Sequence, residues 1–306
     1  MKGGAKRMKL LVTGGTGFIG RQLCRTLVSE GNRVTVFARD PEKGERILGK
    51  QVDFVADLDE LAPSDRFDAI VNLAGAPVFG GRWTAKRKQA IRDSRIGTTA
   101  KLVSFVARSE YKPKVLISGS AIGYYGDQGD RSLDESAPGR PEFSHELCRD
   151  WEAEAGKVRE QGVRLCIVRT GLVVGKGGGF LQPMLLPFRL GLGGRLGSGD
   201  QWISWIHMDD YLAMIRRLLE DDSLEGVFNA TAPNPVTNRE FTETLARVLH
   251  RPALLPMPAW VLRLLLGEMS GLLLGGQRVL PVRFQQAGFQ FGYPELEPAL
   301  RDVITG

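Results

Sequence analysis

The chain has 306 residues, of which 42% are apolar and 25% are charged, and its net charge is +6 at neutral pH. These proportions are ordinary for a folded globular protein and exclude an intrinsically disordered chain. The basic residues are scattered and do not alternate with aromatic residues, which argues against a nucleic-acid-binding protein. The three cysteines, Cys24, Cys148 and Cys166, form no CxxC pair. This argues against a disulfide framework and a metal site, and it favours the cytoplasm.

Short apolar runs alternate with helical patterns along the first 170 residues. The pattern predicts strands at residues 9–12, 33–37, 52–55, 69–73, 114–117 and 164–168. It predicts helices at residues 19–30, 84–108 and 145–160. This alternation indicates βαβ units around a parallel sheet, and an uninterrupted apolar run such as residues 10–12 indicates strands that are buried on both faces. The expected fold class is α/β, with a Rossmann-type doubly wound parallel sheet.

The alternation of predicted strands and helices ends in the second half of the chain. Glycine and proline become frequent from about residue 177, and residues 229–306 read as mostly helical. We therefore predict a Rossmann domain at residues 8–230, with substrate-side segments at about 177–203, and a smaller, mostly helical domain on the substrate side at residues 231–306. The most apolar stretch, residues 260–274, is too short and too often interrupted by charge to span a membrane.

A glycine-rich loop after the first predicted strand carries the clearest functional signal. It reads Thr13-Gly14-Gly15-Thr16-Gly17-Phe18-Ile19-Gly20 and leads into a predicted helix. Gly14 permits the tight turn, Gly17 lets the backbone approach a pyrophosphate, and Gly20 lets the helix pack closely on the strand. The amides at the helix N-terminus then face the phosphates. The loop predicts a dinucleotide-binding site.

The tip of the second strand predicts which dinucleotide is bound. NAD-binding proteins place an acidic residue there for the ribose hydroxyl, and NADP-binding proteins place a cation for the 2′-phosphate. Arg39 occupies the tip and Lys43 follows it, which favours NADP(H). Asp40 is open to two interpretations, because it can bind the hydroxyl or cap the next turn.

Two further strand ends are expected at the same edge of the sheet. Residues 72–75 leave the fourth strand with small side chains, which gives room for the cofactor ribose. Ser120 lies at the end of the next strand, where its hydroxyl faces the cleft in which ligands of open α/β sheets bind.

These segments, together with Trp205-Ile206-His207-Met208-Asp209-Asp210, resemble the extended short-chain dehydrogenases/reductases, the superfamily of sugar-nucleotide epimerases and dehydratases. Four further stretches are similar to the atypical "epimerase family protein" subgroup within it: residues 150–153, 169–175, 184–188 and 189–199. The resemblance covers essentially the whole chain, including its helical tail.

The resemblance implies NADP(H) as the cofactor and a set of contacts to it. The implied contacts to the pyrophosphate are Gly14, Gly17, Phe18, Ile19 and Gly20, and we add Thr16 from the same loop. Ala38 and Arg39 are implied at the 2′-phosphate, and Leu73 and Ala74 along the ribose. Arg95 is implied to face the cofactor, and Val173 to lie near the nicotinamide.

The catalytic pattern of the superfamily is missing. It consists of a Tyr, a Lys four residues later and a Ser or Thr, in which the lysine lowers the pKa of the phenol. None of the five tyrosines has a lysine four residues later. Ser120, Tyr124 and Tyr125 are the candidates for replacing it. His145 and Cys148 are weaker ones, since a surface histidine and a small core residue explain them better.

Two hypotheses of different classes follow. The first is an NADP(H)-dependent oxidoreductase or epimerase-like enzyme that acts on a small carbonyl or sugar-like substrate without the Tyr–Lys pair. The second is a non-catalytic NADP(H)-binding protein that regulates or binds a partner. Neither nucleic acid nor a membrane is an expected partner, and the sequence leaves a homodimer open.

Overall fold

The computed structural model describes residues 7–79 and 81–305, and a parallel sheet forms its centre. The strands are β1 (Lys9–Thr13), β2 (Arg33–Phe37), β3 (Asp53–Val55), β4 (Ala69–Asn72), β5 (Val115–Ala121), β6 (Ser132–Leu133), β7 (Arg164–Thr170), β8 (Leu172–Val174), β9 (Trp202–Ile203), β10 (Trp205–His207), β11 (Gly226–Ala230), β12 (Val236–Thr237) and β13 (Arg278–Val279).

Helices cover both faces of this sheet and form most of the C-terminal part. They are α1 (Phe18–Ser29), α2 (Pro41–Leu48), α3 (Ala85–Arg92), α4 (Thr98–Arg108), α5 (Phe143–Gly156), α6 (Gln182–Arg189), α7 (Met208–Glu220), α8 (Asn238–Leu249), α9 (Ala259–Leu266), α10 (Gly271–Leu274), α11 (Val282–Gln286) and α12 (Leu296–Thr305).

Seven of the strands pair in the order β11-β7-β5-β4-β1-β2-β3, and all their pairings are parallel. The chain winds outward in one direction from β1 to β3 and in the other from β4 to β11. The switch between β1 and β4 opens a crevice at the carboxyl ends of the strands. The predicted fold class, an α/β Rossmann-type sheet with a helical C-terminal part, is confirmed.

Alternation along β1 explains why helices cover both faces of the sheet. Leu10 and Val12 join the cluster that includes α1 and α7, and Leu11 joins the cluster that includes Leu102 and Phe105 of α4. Leu10, Leu11 and Val12 are all fully buried. Burial on both faces is what an uninterrupted apolar strand requires.

The C-terminal helices pack on segments that follow the main sheet. Phe241 of α8 and Leu300 of α12 share a buried cluster with Trp205 of β10. The Asp210 carboxylate of α7 accepts hydrogen bonds from the backbone amides of Gly292 (2.7 Å) and Tyr293 (2.9 Å). These contacts tie the tail to the rest of the molecule, and the predicted boundary near residue 230 stays a prediction.

Two local features differ from the sequence expectation. The predicted helix at 84–108 is divided by a π-helical turn, Asp93–Gly97. Helix α2 fills a stretch for which no element was predicted. The apolar stretch at 260–274 forms the short helices α9 and α10, separated by the 3-10 turn Gly267–Ser270. Within the described ranges, no helix has the length and apolar character needed to cross a membrane.

Candidate functional site

The glycine loop between β1 and α1 is held by contacts that exclude larger side chains. Gly14 has φ +71°, and a Cβ there would lie 2.4 Å from Leu73 O. A Cβ on Gly20 would lie 2.1 Å from Gly14 O. Gly17 precedes α1 and provides no capping side chain, so the first amides of the helix have no partner from its N-cap. The loop can therefore receive an anion at these amides.

A buried hydrogen-bond network fixes the loops that follow β1 and β4. Thr13 Oγ1 donates to Asn72 Oδ1 at 2.7 Å and accepts from the Ala74 amide at 3.2 Å. Asn72 Nδ2 donates to Thr99 Oγ1 at 2.8 Å, and Thr99 also accepts from Trp151 Nε1 at 2.9 Å. The two strand ends that flank the crevice are thus held in a fixed relation.

A cavity of about 450 Å³ lies at these strand ends, and we call it the main cavity. Its lining brings together eight of the residues predicted from the sequence: Gly14, Gly17, Phe18, Ile19, Gly20, Leu73, Arg95 and Ser120. It also includes residues from the C-terminal part of the chain, such as Trp202 and Leu273. The cavity therefore joins the glycine loop to the region predicted to hold the substrate.

Seven predicted residues lie outside the lining of the main cavity: Thr16, Ala38, Arg39, Ala74, Val173, Tyr124 and Tyr125. Ala38 is buried at the tip of β2, and Arg39 is exposed beside it without a hydrogen bond or ion pair to any described residue. Asp40 accepts a hydrogen bond from the Lys43 amide at 3.0 Å and caps α2. Of the two interpretations of Asp40, the capping role is the one present in the structure.

The glycine run that begins near residue 177 packs on the loop. A Cβ on Gly178 would lie 2.3 Å from the Phe18 ring, and one on Gly179 would lie 2.7 Å from it. Arg21 Nη2 donates to Gly177 O at 2.7 Å. The run therefore lets a second segment of backbone lie directly against the start of α1.

Arg95 projects from the π-helical turn into the main cavity. Its Nη1 donates to Ala76 O at 3.0 Å, and its guanidinium carbon lies 5.4 Å from the centroid of the Trp151 ring. Burial lowers the pKa of the Arg95 guanidinium. A Cβ on Gly75 would meet this guanidinium at 2.8 Å, which explains the small residue at the exit of β4.

Ser120 is held by a buried ion pair. Its hydroxyl donates to Glu152 Oε1 at 2.7 Å. Arg169 donates to the same carboxylate, from Nε to Oε1 and from Nη2 to Oε2, each at 2.9 Å. Arg169 also donates to the Tyr125 hydroxyl at 3.1 Å. Because the single proton of Ser120 is directed to Glu152, the lone pairs of Ser120 are left to accept a hydrogen bond in the cavity.

The two candidate tyrosines face this ion pair. The Tyr125 ring is fully buried, its hydroxyl donates to Asn229 Oδ1 at 2.7 Å, and burial raises its pKa to about 12. The guanidinium carbon of Arg169 lies 3.3 Å from the centroid of the Tyr124 ring. His145 Nδ1 lies 2.6 Å from Tyr124 O, so His145 holds the backbone of this turn. Neither tyrosine reaches the cavity in this arrangement.

Of the residues that α5 places at or next to the main cavity, sequence reasoning named Cys148 as a weak candidate and missed Ser144 and Glu152. Ser144 and Cys148 both line it, and they are four residues apart, the spacing of the absent Tyr–Lys pair. Glu152 follows after four more residues. Burial raises the pKa of the Cys148 thiol to about 11, so the thiol is not activated as a nucleophile. A search of this helix at a spacing of four, rather than a search of the tyrosines, would have found them.

No group of three or more His, Cys, Asp or Glu side chains is placed to hold a metal ion in the part of the chain that the structure describes.

Comparisons with known proteins place these features in a family context. The model of the NAD dependent epimerase/dehydratase family matches residues 10–230, and a domain of unknown function, DUF1731, matches residues 257–303. The Arabidopsis thaliana protein named "Epimerase family protein SDR39U1 homolog, chloroplastic" is 41% identical, over 97% of this chain and 87% of that protein. The Bacillus subtilis epimerase family protein YfhF is 39% identical, over 97% and 98% of the two chains.

A solved structure extends this likeness to three dimensions. The crystal structure of human epimerase family protein SDR39U1 (isoform 2) with NADPH is 37% identical in sequence and has a TM-score of 0.88. The match covers 98% of this chain and 100% of that one. The resemblance to the "epimerase family protein" subgroup is thereby confirmed.

Proposed function

We propose that this chain, which belongs to the NAD dependent epimerase/dehydratase family, binds NADP(H) and acts as an oxidoreductase or epimerase-like enzyme on a small carbonyl or sugar-like substrate. The observation that carries the proposal is the joining of the glycine loop to a single cavity that also contains Arg95 and Ser120. The human relative that was crystallised with NADPH supports the same cofactor.

The residues present fit a phosphorylated dinucleotide. Gly14, Gly17 and the first amides of α1 form a cradle for a pyrophosphate, since the loop carries no side chain at Gly14 and Gly17 and the N-cap offers none to the amides. Arg39 offers a cation that no described residue pairs, at the strand end where a 2′-phosphate is expected. When bound, NADP(H) supplies a hydride donor or acceptor.

The remaining chemistry falls to polar groups at the end of β5. Ser120 accepts a hydrogen bond from a substrate hydroxyl, because its own proton is held by Glu152. Arg95 adds a positive charge to the lining. Ser144 and Cys148 stand where the Tyr–Lys pair, a proton donor and its cation, would be expected. Because they do not supply the proton that accompanies hydride transfer, we expect this proton to be exchanged with solvent or within the substrate.

The alternative, a non-catalytic NADP(H)-binding protein that regulates or binds a partner, is favoured by one observation. The titratable groups of the described lining are Arg95, Cys148 and Tyr211. Burial raises the pKa of the Cys148 thiol to about 11 and that of the Tyr211 hydroxyl to about 12, so both move away from neutrality. General acid–base catalysis works best with a pKa near the working pH.

A binding and turnover experiment separates the two hypotheses. We expect the purified protein to bind NADPH, measured by calorimetry, and to consume it with at least one member of a panel of carbonyl compounds and sugar nucleotides, measured by absorbance. Tight binding of NADPH without consumption across the panel would favour the non-catalytic alternative. No binding of NADPH would contradict both.

The choice of NADP(H) over NAD(H) is tested at Arg39. We expect Arg39→Ala to weaken NADPH binding by about 10- to 100-fold, the loss of a charge-assisted hydrogen bond of about 1.5–3 kcal/mol, and to leave NADH binding nearly unchanged. Arg33→Ala, an exposed arginine at the opposite end of β2, is the matched control and should change neither. Equal losses for both cofactors in Arg39→Ala would contradict the assignment.

We also propose the cytoplasm as the compartment and a small molecule as the binding partner. All three cysteines are free and buried, which suits a reducing environment. The name of the Arabidopsis relative places that protein in the chloroplast.

A further inference from the structure

The main cavity extends from the glycine loop into a region with large apolar walls. Trp83 and Phe143 pack edge to face, with ring centroids 4.9 Å apart, and both line it. Phe180, Trp202 and Leu273 contribute from later parts of the chain. A site of this kind binds a small ligand mainly by burying the ligand's apolar surface, and its aromatic side chains favour an aromatic ligand, whose ring can stack on them or meet them edge to face.

Charge is scarce along this cavity. Among the lining residues that the structure describes, Arg95 alone carries a formal charge, and it is already donating to Ala76 O. The diphosphate of a nucleotide sugar brings two negative charges, and burying them without cations or several donors is costly. Apart from the glycine loop, which is assigned to the cofactor, the described lining therefore does not suit a nucleoside diphosphate sugar.

The cations next to the apolar wall are engaged within the chain. Both carboxylate oxygens of Glu268 lie 2.6 Å from Lys88 Nζ, which also stands 4.9 Å from the centroid of the Phe143 ring. Arg82 Nη2 donates to Leu264 O at 3.0 Å. The charge of Lys88 is thus neutralised where it meets the aromatic wall, and both contacts hold the start of α3 against the C-terminal part.

The competing interpretation is that the site binds an anionic ligand, and Arg278 is the cation that would pair with it. Its guanidinium carbon lies 4.5 Å from the centroid of the Trp202 ring, and its Nε is buried without a partner among the described residues. It is not part of the cavity lining, and its stacking on Trp202 already stabilises its charge. A decisive test therefore has to include an anionic ligand that would engage Arg278.

We propose, as a refinement that rests on the proposed function, that the substrate held against Trp83 and Phe143 is an uncharged, planar and largely apolar molecule. An aryl ketone or the corresponding alcohol has this chemistry, and a nucleoside diphosphate sugar does not. Ser120, at the end of the main cavity next to the glycine loop, accepts a hydrogen bond from the hydroxyl of the alcohol form.

The proposal is tested by calorimetric titration of the full chain saturated with NADP⁺. The ligands are 2-acetonaphthone, 2-naphthoate, which has the same ring with a carboxylate in place of the acetyl group, and UDP-glucose. We expect 2-acetonaphthone to bind at least about tenfold more tightly than 2-naphthoate, because the carboxylate loses its hydration and Arg95, the one charged residue of the described lining, already donates to Ala76 O. We expect no binding of UDP-glucose.

The outcomes separate this proposal from the proposed function. If 2-naphthoate or UDP-glucose binds as tightly as 2-acetonaphthone or more tightly, and Arg278→Met weakens that binding, the site recognises anions and the proposal is overturned. The proposal is equally overturned if the NADP⁺-loaded protein does not bind 2-acetonaphthone. Failure of NADP⁺ itself to bind would instead contradict the proposed function.

A pair of variants locates the binding site. Trp83→Ala should weaken binding of 2-acetonaphthone by at least about tenfold, since it removes a large apolar contact, and leave NADP⁺ binding unchanged. Tyr111→Ala removes an exposed aromatic residue that is outside the cavity and should change neither affinity. Equal binding of 2-acetonaphthone by Trp83→Ala and the unmodified protein would place the ligand elsewhere.

Discussion

Replacing Glu152 with alanine is expected to lower the free energy of unfolding by about 3–5 kcal/mol, the range measured when one partner of a buried ion pair is removed. Arg169 is only 4% exposed and donates two hydrogen bonds of 2.9 Å to this carboxylate. Without Glu152, a buried guanidinium keeps its charge and loses its counterion, and Ser120 loses its acceptor. Urea unfolding, followed by fluorescence, measures the change.

A neighbouring glutamate on the same helix provides the control. Glu154 pairs with Lys157 at 2.6 Å, and the Lys157 side chain is 56% exposed. The Glu154 side chain is 15% exposed, but Lys157 stays solvated when Glu154 is removed, so Glu154→Ala should cost less than about 1 kcal/mol. The double variant Glu152→Met with Arg169→Met should recover part of the stability lost in Glu152→Ala. If Glu152→Ala lost as little unfolding free energy as Glu154→Ala, the Glu152–Arg169 pair would not support this part of the fold.

The glycine loop could be predicted from the sequence because its determinants are local. A strand, three spaced glycines and the start of a helix lie within twelve residues, and Gly14 and Gly20 are required by contacts inside or beside that segment. The alternation of strands and helices gave the fold class for the same reason. The residues of the loop that were expected at the cofactor, apart from Thr16, are the ones that line the main cavity.

The ion pair beneath Ser120 could not be predicted in the same way. Glu152 lies on α5 and Arg169 on β7, and they meet because β5 and β7 are neighbours in the sheet. Tyr125 is bonded to Asn229, a residue 104 positions away in the sequence. A polar turn after a strand gives no information about which of two adjacent tyrosines points inward, so the sequence proposed Tyr124 and Tyr125 alike.

A substitution at Gly17 can test cofactor binding separately from folding. Gly17 has φ −76° and ψ 179°, an extended conformation that valine adopts readily. A Cβ there would have a single neighbour within 4 Å, Gly14 O at 3.2 Å. Gly20 differs, since its Cβ would lie 2.1 Å from Gly14 O and 2.7 Å from Gly15 Cα. Gly17 faces the cavity, and Gly20 is packed against the loop itself.

Gly17→Val is therefore expected to weaken NADPH binding by at least about 100-fold, which corresponds to losing two charge-assisted hydrogen bonds of about 1.5–3 kcal/mol each between helix amides and phosphate. The unfolding transition without cofactor should shift little, because the new Cβ has one close neighbour, Gly14 O at 3.2 Å, and otherwise meets open space. Gly20→Val should instead lower the unfolding transition itself, since backbone atoms must move to admit it. Calorimetry with NADPH and urea unfolding of both variants check this. If Gly17→Val bound NADPH as tightly as the unmodified chain, the pyrophosphate would not lie against this loop, and the cofactor assignment would fail with it.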